Sequence, residues 1–218
     1  MDLNYLENYS QVIGCDEVGR GPIAGPVNAC AVSVNKDSVS LIDFFTKLNI
    51  TDSKKLSTKK RLNILEVLNI KLDEIKIGDI HTIESEAGSF KFVVEELSPE
   101  KIDEINILQA SLLCMKNASD KLVEKNTKIL IDGNKKFDSL AETEAIVKGD
   151  SKSCIIALAS IIAKEYRDKL MKEFAEIYPG YGLESHAGYP TVKHKEAVIN
   201  LGVTPIHRKS FRGVKEYV

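Results

Sequence analysis

The sequence predicts an α/β domain: a mixed central sheet flanked by helices, with a small helical C-terminal lobe. Three observations carry this. Two apolar runs rich in β-branched residues flank a Gly/Pro-rich turn early in the chain. Strand-then-helix units follow, and after the last long helix only loops and short helical patterns remain. With 218 residues, 43% of them hydrophobic, the chain can bury a full core without help from metal or disulfides.

Taken in order, residues 11–15 and residues 27–34 read as the first two strands, the second running Val-Asn-Ala-Cys-Ala-Val-Ser-Val. Ser57 opens a helix over 58–69 with Leu62, Ile64, Leu65 and Leu68 on one side. Alternation over 72–80 predicts a third strand. Ser98-Pro-Glu-Lys101 is a helix start, with Ser as N-cap and Pro in the first turn. That helix is expected to run to about Lys121 and bury Ile102, Ile105, Leu108, Leu112 and Met115. Residues 128–131 form a short buried strand ending in Asp132-Gly133-Asn134, and 145–148 a fifth strand. Asp150-Ser-Lys-Ser opens a long helix through 155–175, which Tyr178-Pro179-Gly180 ends. A short helix over 192–201 and a basic tail complete the chain.

The formal net charge of −2 excludes a protein that binds polyanions through its overall field. Charge is nevertheless uneven. Lys54, Lys55, Lys59, Lys60 and Arg61 cluster against one acid. The tail carries Lys193, Lys195, Arg208, Lys209, Arg212 and Lys215 against Glu196 and Glu216, with three of the four histidines. Two basic patches flanking an acidic centre suit a phosphodiester substrate. Cys15, Cys30, Cys114 and Cys154 lie in apolar stretches without a C-x-x-C, which reads as buried thiols in a reducing compartment. The N-terminus lacks a basic and apolar leader, and no apolar run is long enough to span a bilayer. The expected setting is the cytoplasm, away from membranes.

The acids carry the chemistry. Asp16 and Glu17 end the first strand, directly before Gly19-Arg20-Gly21. Side chains alternate along a strand, so both acids reach one site only if the backbone turns irregular there, which the glycines would allow. Asp132 ends another strand and Asp150 stands at a helix start. Each alone reads as a turn or a cap. Together they fall where ligands gather in α/β sheets, outside the carboxyl ends of strands. Four carboxylates at one edge repel. Two hard divalent ions, which prefer oxygen ligands, would relieve that, and a two-metal site is a recurring device for in-line displacement at phosphorus.

Nine segments in order resemble the ribonuclease HII family. They are Gly14-Cys-Asp-Glu-Val-Gly-Arg-Gly-Pro-Ile-Ala-Gly-Pro26, Thr51-Asp-Ser-Lys-Lys-Leu-Ser57, Asn106-Ile-Leu-Gln-Ala110, Leu130-Ile-Asp-Gly-Asn134 and Val147-Lys-Gly-Asp-Ser-Lys-Ser153. Ala159-Ser-Ile-Ile-Ala-Lys164, Tyr178-Pro-Gly-Tyr-Gly182, His186-Ala-Gly-Tyr189 and His207-Arg-Lys-Ser-Phe211 complete the set. The resemblance implies a ribonuclease H-like catalytic domain over residues 1–175. Residues 176–218 form a helical lobe and basic tail within the same compact unit. It implies an endonuclease that cuts the RNA strand of RNA/DNA hybrids and single ribonucleotides embedded in duplex DNA, leaving 3′-hydroxyl and 5′-phosphate ends. Implied roles are ribonucleotide excision and RNA primer removal, performed by a monomer.

The resemblance also implies dependence on Mg²⁺ or Mn²⁺, with Asp16, Glu17, Asp132 and Asp150 as the four ligands. Asp16 would bridge two ions, Asp132 and Asp150 would each hold one side, and Glu17 would complete the set. Gly19, Arg20 and Gly21 map onto the family's Gly-Arg-Gly turn, whose backbone is suited to sensing a 2′-hydroxyl. Arg20 can neutralise a neighbouring phosphate. Tyr189 maps onto the junction-sensing tyrosine, with a ring to stack on the following deoxyribose. Ser53, Lys54 and Lys55 would grip the nucleic-acid backbone, and His186, His207, Arg208 and Ser210 are candidates to line the cleft. Residues 82–98 look like an insertion relative to the family. The tail has no glutamine-led aromatic motif for docking on a sliding clamp. The rival readings are a ribonuclease HIII-type enzyme, disfavoured by Arg20 between the glycines, and a DNA-processing nuclease of the same fold.

Overall fold

A computed structural model describes residues 1–218. A six-stranded sheet of order β3-β4-β2-β1-β5-β6 forms its centre. The strands are β1 (Gln11–Val18), β2 (Val27–Asn35), β3 (His81–Ser85), β4 (Gly88–Leu97), β5 (Thr127–Asp132) and β6 (Glu142–Ile146). β1 pairs antiparallel with β2, β2 with β4 and β4 with β3; β5 lies parallel to β1, and β6 parallel to β5. The sheet is mixed, as the order of strands and helices predicts.

Eight helices surround it: α1 (Asp2–Asn8), α2 (Ser40–Lys47), α3 (Thr58–Val67), α4 (Pro99–Ile105), α5 (Ile107–Asp120), α6 (Cys154–Ile177), α7 (Leu183–His186) and α8 (Val192–Leu201). On one sheet face, the apolar side chains of α6 from Ile155 to Ala163 pack with Val12, Val32 and Leu130 and with α2 and α3. On the other face Cys114, Met115 and Ala118 of α5 pack with Ile13, Cys15, Ala29 and Ile131. A third cluster joins the C-terminal elements to Ile23, Ala24 and Met171, so the lobe is seated on the loop that follows β1.

Several expectations need correction. The third strand does not lie at 72–80, where only a 3-10 turn (Leu72–Glu74) forms. Residues 82–98, expected to have no strand of their own, hold most of β3 and all of β4, and β4 pairs along nearly all of β2. Their Phe90-Lys-Phe-Val-Val run buries Phe90, Phe92, Val93 and Val94 and half-buries Lys91, a pattern of a strand covered on both faces. The helix expected from Ser98 to Lys121 breaks at Asn106, whose φ of +65° stops α4 while its side chain caps α5 by accepting from Leu108 N and Gln109 N. Ile102 and Met115 are buried, whereas Ile105, Leu108 and Leu112 are only half-buried. Leu62 is exposed on α3, and α1 and α2 carried no recognised sequence signal.

Candidate active site

β1 remains regular through Val18, so the expected irregularity at Asp16-Glu17 does not occur. The two acids therefore lean to opposite faces. Asp16 is directed toward α6, where the Ser160 hydroxyl favours its charged form. Glu17 shares a cleft of about 320 Å³ with Arg20, Ser111, Asp132 and Lys135 on the α5 side. They belong to one site because β5 runs parallel beside β1 and ends in Asp132, close enough to act on both.

Asp132 Oδ1 accepts a hydrogen bond from Gly149 N at 2.6 Å. That bond draws the turn Gly149–Ser151 against the end of β5 and brings Asp150 beside Asp132. Ser153, not Asp150, caps α6, accepting from Ile156 N at 3.2 Å, so the Asp150 carboxylate is left for the site. Asp16 is 6% and Asp150 7% exposed. Burial, then Glu17 and then Asp132 push the Asp16 carboxyl well above its ordinary range. Burial, then Asp132 and Asp52 raise Asp150, with Lys54 opposing. Glu17 is raised by burial and held back by Arg20, whose Nη1 lies 3.3 Å from Glu17 Oε1.

This edge is an assembly of separate carboxylates, not a preformed cage: no three His, Cys, Asp or Glu side chains are grouped closely enough to hold a metal. The donor chemistry nevertheless fits a hard divalent cation. All four groups are oxygen donors, and the buried ones carry the mutual repulsion that a cation would relieve.

Two loops flank the edge. On one side Ser53 is buried with its hydroxyl 2.9 Å from Ser160 Oγ, which connects it to the surroundings of Asp16. Lys54 and Lys55 are exposed, and Lys55 Nζ donates to Ser151 Oγ at 3.1 Å. On the other side Gly19 has φ +93°, and a Cβ there would lie 2.3 Å from Arg167 Nε, so only glycine fits. The exposed Arg20 and Gly21 keep their backbone amides, and Gly21 its carbonyl, free of any hydrogen bond within the protein. The Tyr189 ring lies against Gly21: a Cβ on Gly21 would be 3.1 Å from Tyr189 Cε1. Tyr189 is 48% exposed, which leaves a free surface for a ligand.

The proposed cleft liners His207, Arg208 and Ser210 do not line it. His207 is buried, with Nδ1 accepting from Thr204 N and Nε2 3.2 Å from His194 Nε2. Arg208 is fully buried, and Ser210 binds Asp103 through both its amide and its hydroxyl. His186 bonds the Tyr181 carbonyl and stacks on His194. Arg61 also leaves its expected basic patch, being buried against Glu165. Sequence reasoning missed Asp52, Ser160, Arg61 and Arg167. Asp52 and Ser160 lie inside quoted motifs, and Arg167 is an isolated cation on the buried side of α6.

The ribonuclease HII family model matches residues 13–214. This chain belongs to the ribonuclease HII family. It is 41% identical over 208 residues to "Ribonuclease HII" of Shouchella clausii (strain KSM-K16), covering 95% of this chain and 71% of that one. The fold is similar to a chain of the PCNA:RNase HII complex from Archaeoglobus fulgidus, with TM-score 0.70, 23% identity and coverage of 93% and 95%. It is similar as well to Bst-RNase HIII in complex with Mn²⁺, with TM-score 0.68, 17% identity and coverage of 98% and 71%. The chain is thus a ribonuclease H, a hydrolase of RNA in RNA/DNA hybrids. No helix is long and apolar enough to cross a membrane.

Proposed function

We propose that the enzyme cuts both RNA/DNA hybrids and single ribonucleotides embedded in duplex DNA, leaving 3′-hydroxyl and 5′-phosphate ends. The observation that carries this reading is the placement of unpaired backbone groups at Arg20-Gly21, under the Tyr189 ring and beside the acid edge. A 2′-hydroxyl both donates and accepts, so recognising it calls for an acceptor and a donor together. The Gly21 carbonyl and the neighbouring amides offer both.

Asp16, Glu17, Asp132 and Asp150 would hold two Mg²⁺ or Mn²⁺ ions, a reading supported by the all-oxygen donor set. Bound there, the ions supply the Lewis acidity that activates water and stabilises charge at the scissile phosphate. The chain's own residues do the rest. Asp132 fixes the Asp150 turn through Gly149, and Arg20 screens Glu17 while facing the phosphate backbone. Tyr189 supplies a stacking surface for the sugar after the junction, and Lys54 and Lys55 hold the duplex through its phosphates. Residues 176–218 would serve this one compact unit by seating the Tyr189 loop. The enzyme would act as a monomer in the cytoplasm, in ribonucleotide excision and primer removal.

The test is a labelled duplex with one ribonucleotide, incubated beside an all-DNA control and a long hybrid. Cleavage of the first and third but not the second is expected. A chain that cuts the hybrid but leaves the single ribonucleotide intact would contradict the proposal.

A further inference from the structure

Two guanidinium groups lie inside the protein behind Gly19-Arg20-Gly21, and neither meets a carboxylate. Arg208 is 0% and Arg167 1% exposed. Arg208 Nε donates to Gly25 O at 2.9 Å; its Nη1 reaches Arg20 O at 3.2 Å and Pro22 O at 2.8 Å; its Nη2 reaches Gly19 O at 2.6 Å and Pro26 O at 3.1 Å. Arg167 donates to Pro26 O at 3.3 Å, to Ala24 O at 3.2 Å and to Ala187 O at 2.9 Å. The Arg208 amide takes the Ile23 carbonyl at 2.8 Å. Every carbonyl from Gly19 to Pro26 is thus engaged by one of these two residues, except that of Gly21.

We propose that Arg167 and Arg208 are positioning residues for substrate selection: by pinning the inward carbonyls of residues 19–26, they present the Gly21 carbonyl and the Arg20 and Gly21 amides to the 2′-hydroxyl. The inference rests on the reading of that loop given above. Burying a cation without a counter-charge is costly even when it is hydrogen-bonded. Here that cost is offset by loop carbonyls that apolar side chains of similar volume would leave unpaired. A planar fork with five donors is the group that can fix several carbonyls of one irregular loop at once. Arg167 also bonds the Ala187 carbonyl, two residues before Tyr189, so one clamp sets the glycine turn and the tyrosine loop relative to each other.

The decisive variants are Arg208→Lys and Arg167→Lys, which keep the charge and lose the fork, and Arg208→Ala, which leaves a guanidinium-sized space. Arg208→Lys is expected to melt cooperatively and bind all-DNA duplex as the wild type does, because Lys54 and Lys55 are untouched. Its kcat on a single embedded ribonucleotide is expected to fall roughly a hundredfold, the scale of a misplacement of about 1 Å. Adding ethylguanidinium to Arg208→Ala is expected to restore cleavage several-fold and to do nothing for Tyr189→Ala. Wild-type kcat in both lysine variants would overturn the proposal. So would activity of Arg208→Ala that returns on cooling or with glycerol but not with ethylguanidinium, the behaviour of a merely structural residue. If Arg208→Ala does not fold, the lysine variants decide. A wild-type enzyme inactive on the single ribonucleotide would instead refute the functional reading itself.

Discussion

On the basic flank of the acid edge, Arg61 holds the loop by donating to Ser53 O at 3.0 Å and Leu56 O at 2.6 Å, while Glu165 neutralises it at 2.5 Å. On the glycine flank, Arg167 and Arg208 hold residues 19–26 with no carboxylate against either. Glu165 and Arg167 stand two residues apart on α6, so a single helix anchors both loops by opposite means. The difference matches what each loop offers a substrate. The basic flank exposes flexible lysine heads, which need only be near phosphates. The glycine flank exposes backbone groups, whose direction is set entirely by how the loop is pinned. On the proposed reading one flank would supply affinity and the other selection.

The sharpest way to break this division is to remove the centre between the flanks. Asp132→Asn is expected to lower cleavage roughly a thousandfold or more with either flank intact, since the amide binds a hard cation poorly and also weakens the link to Gly149. A circular-dichroism melt should show the fold retained. Residual activity within tenfold of wild type would mean the acids are not the centre.

Next in size is the neutralised anchor. Glu165→Gln leaves Arg61 buried without its partner and is expected to cost about 3–5 kcal/mol in urea denaturation. Adding Arg61→Met should recover much of that loss, because removing both charges abolishes the desolvation penalty. If the single change costs nothing, the Arg61–Glu165 pair is not the brace of the basic flank.

On the glycine flank, Tyr189→Ala is expected to lower cleavage of a single embedded ribonucleotide by roughly tenfold to a hundredfold, on the scale of about 1–3 kcal/mol for a stacked ring. The loss should be smaller on a long hybrid, where no deoxynucleotide follows most scissile bonds. Equal losses on both substrates would make Tyr189 a packing residue for Gly21.

The smallest effect is expected at the lysines. Changing Lys54 and Lys55 together to Ala should weaken binding to every duplex and flatten the dependence of log K on log salt by at most about two, with little change in cleavage of bound substrate. An unaltered salt slope would place these lysines outside the interface.

The convergence of the four acids at one sheet edge was legible because each stands near a strand end or at a helix start, positions that a local pattern marks. The sheet was legible for the same reason at β1, β2 and β5, whereas the strand expected at 145–148 lies earlier, at Glu142–Ile146. What escaped were partnerships made across the chain. The strands within 82–98 went unread because β2, the partner of β4, lies far away in sequence. Arg208 and His207 read as candidates to line the cleft because nothing near them in sequence shows the carbonyls of residues 19–26 or the His194 ring that bury them. Asp52 and Ser160 gain their roles only when the Ser53 loop folds onto α6. The regular course of β1 through Glu17 was missed because glycines permit a kink without requiring one.

The most direct test of the account is the pH–rate profile for a single embedded ribonucleotide, measured at several Mg²⁺ concentrations. Burial and the neighbouring Glu17 and Asp132 raise the Asp16 carboxyl, so it takes up a proton at a higher pH than an ordinary aspartate. Activity should therefore fall as pH falls through that raised range. Proton and cation compete for the same carboxylates, so more Mg²⁺ should move the falling limb to lower pH, while Asp16→Asn stays inactive throughout. A falling limb that ignores Mg²⁺, or wild-type rates in Asp16→Asn, would contradict it.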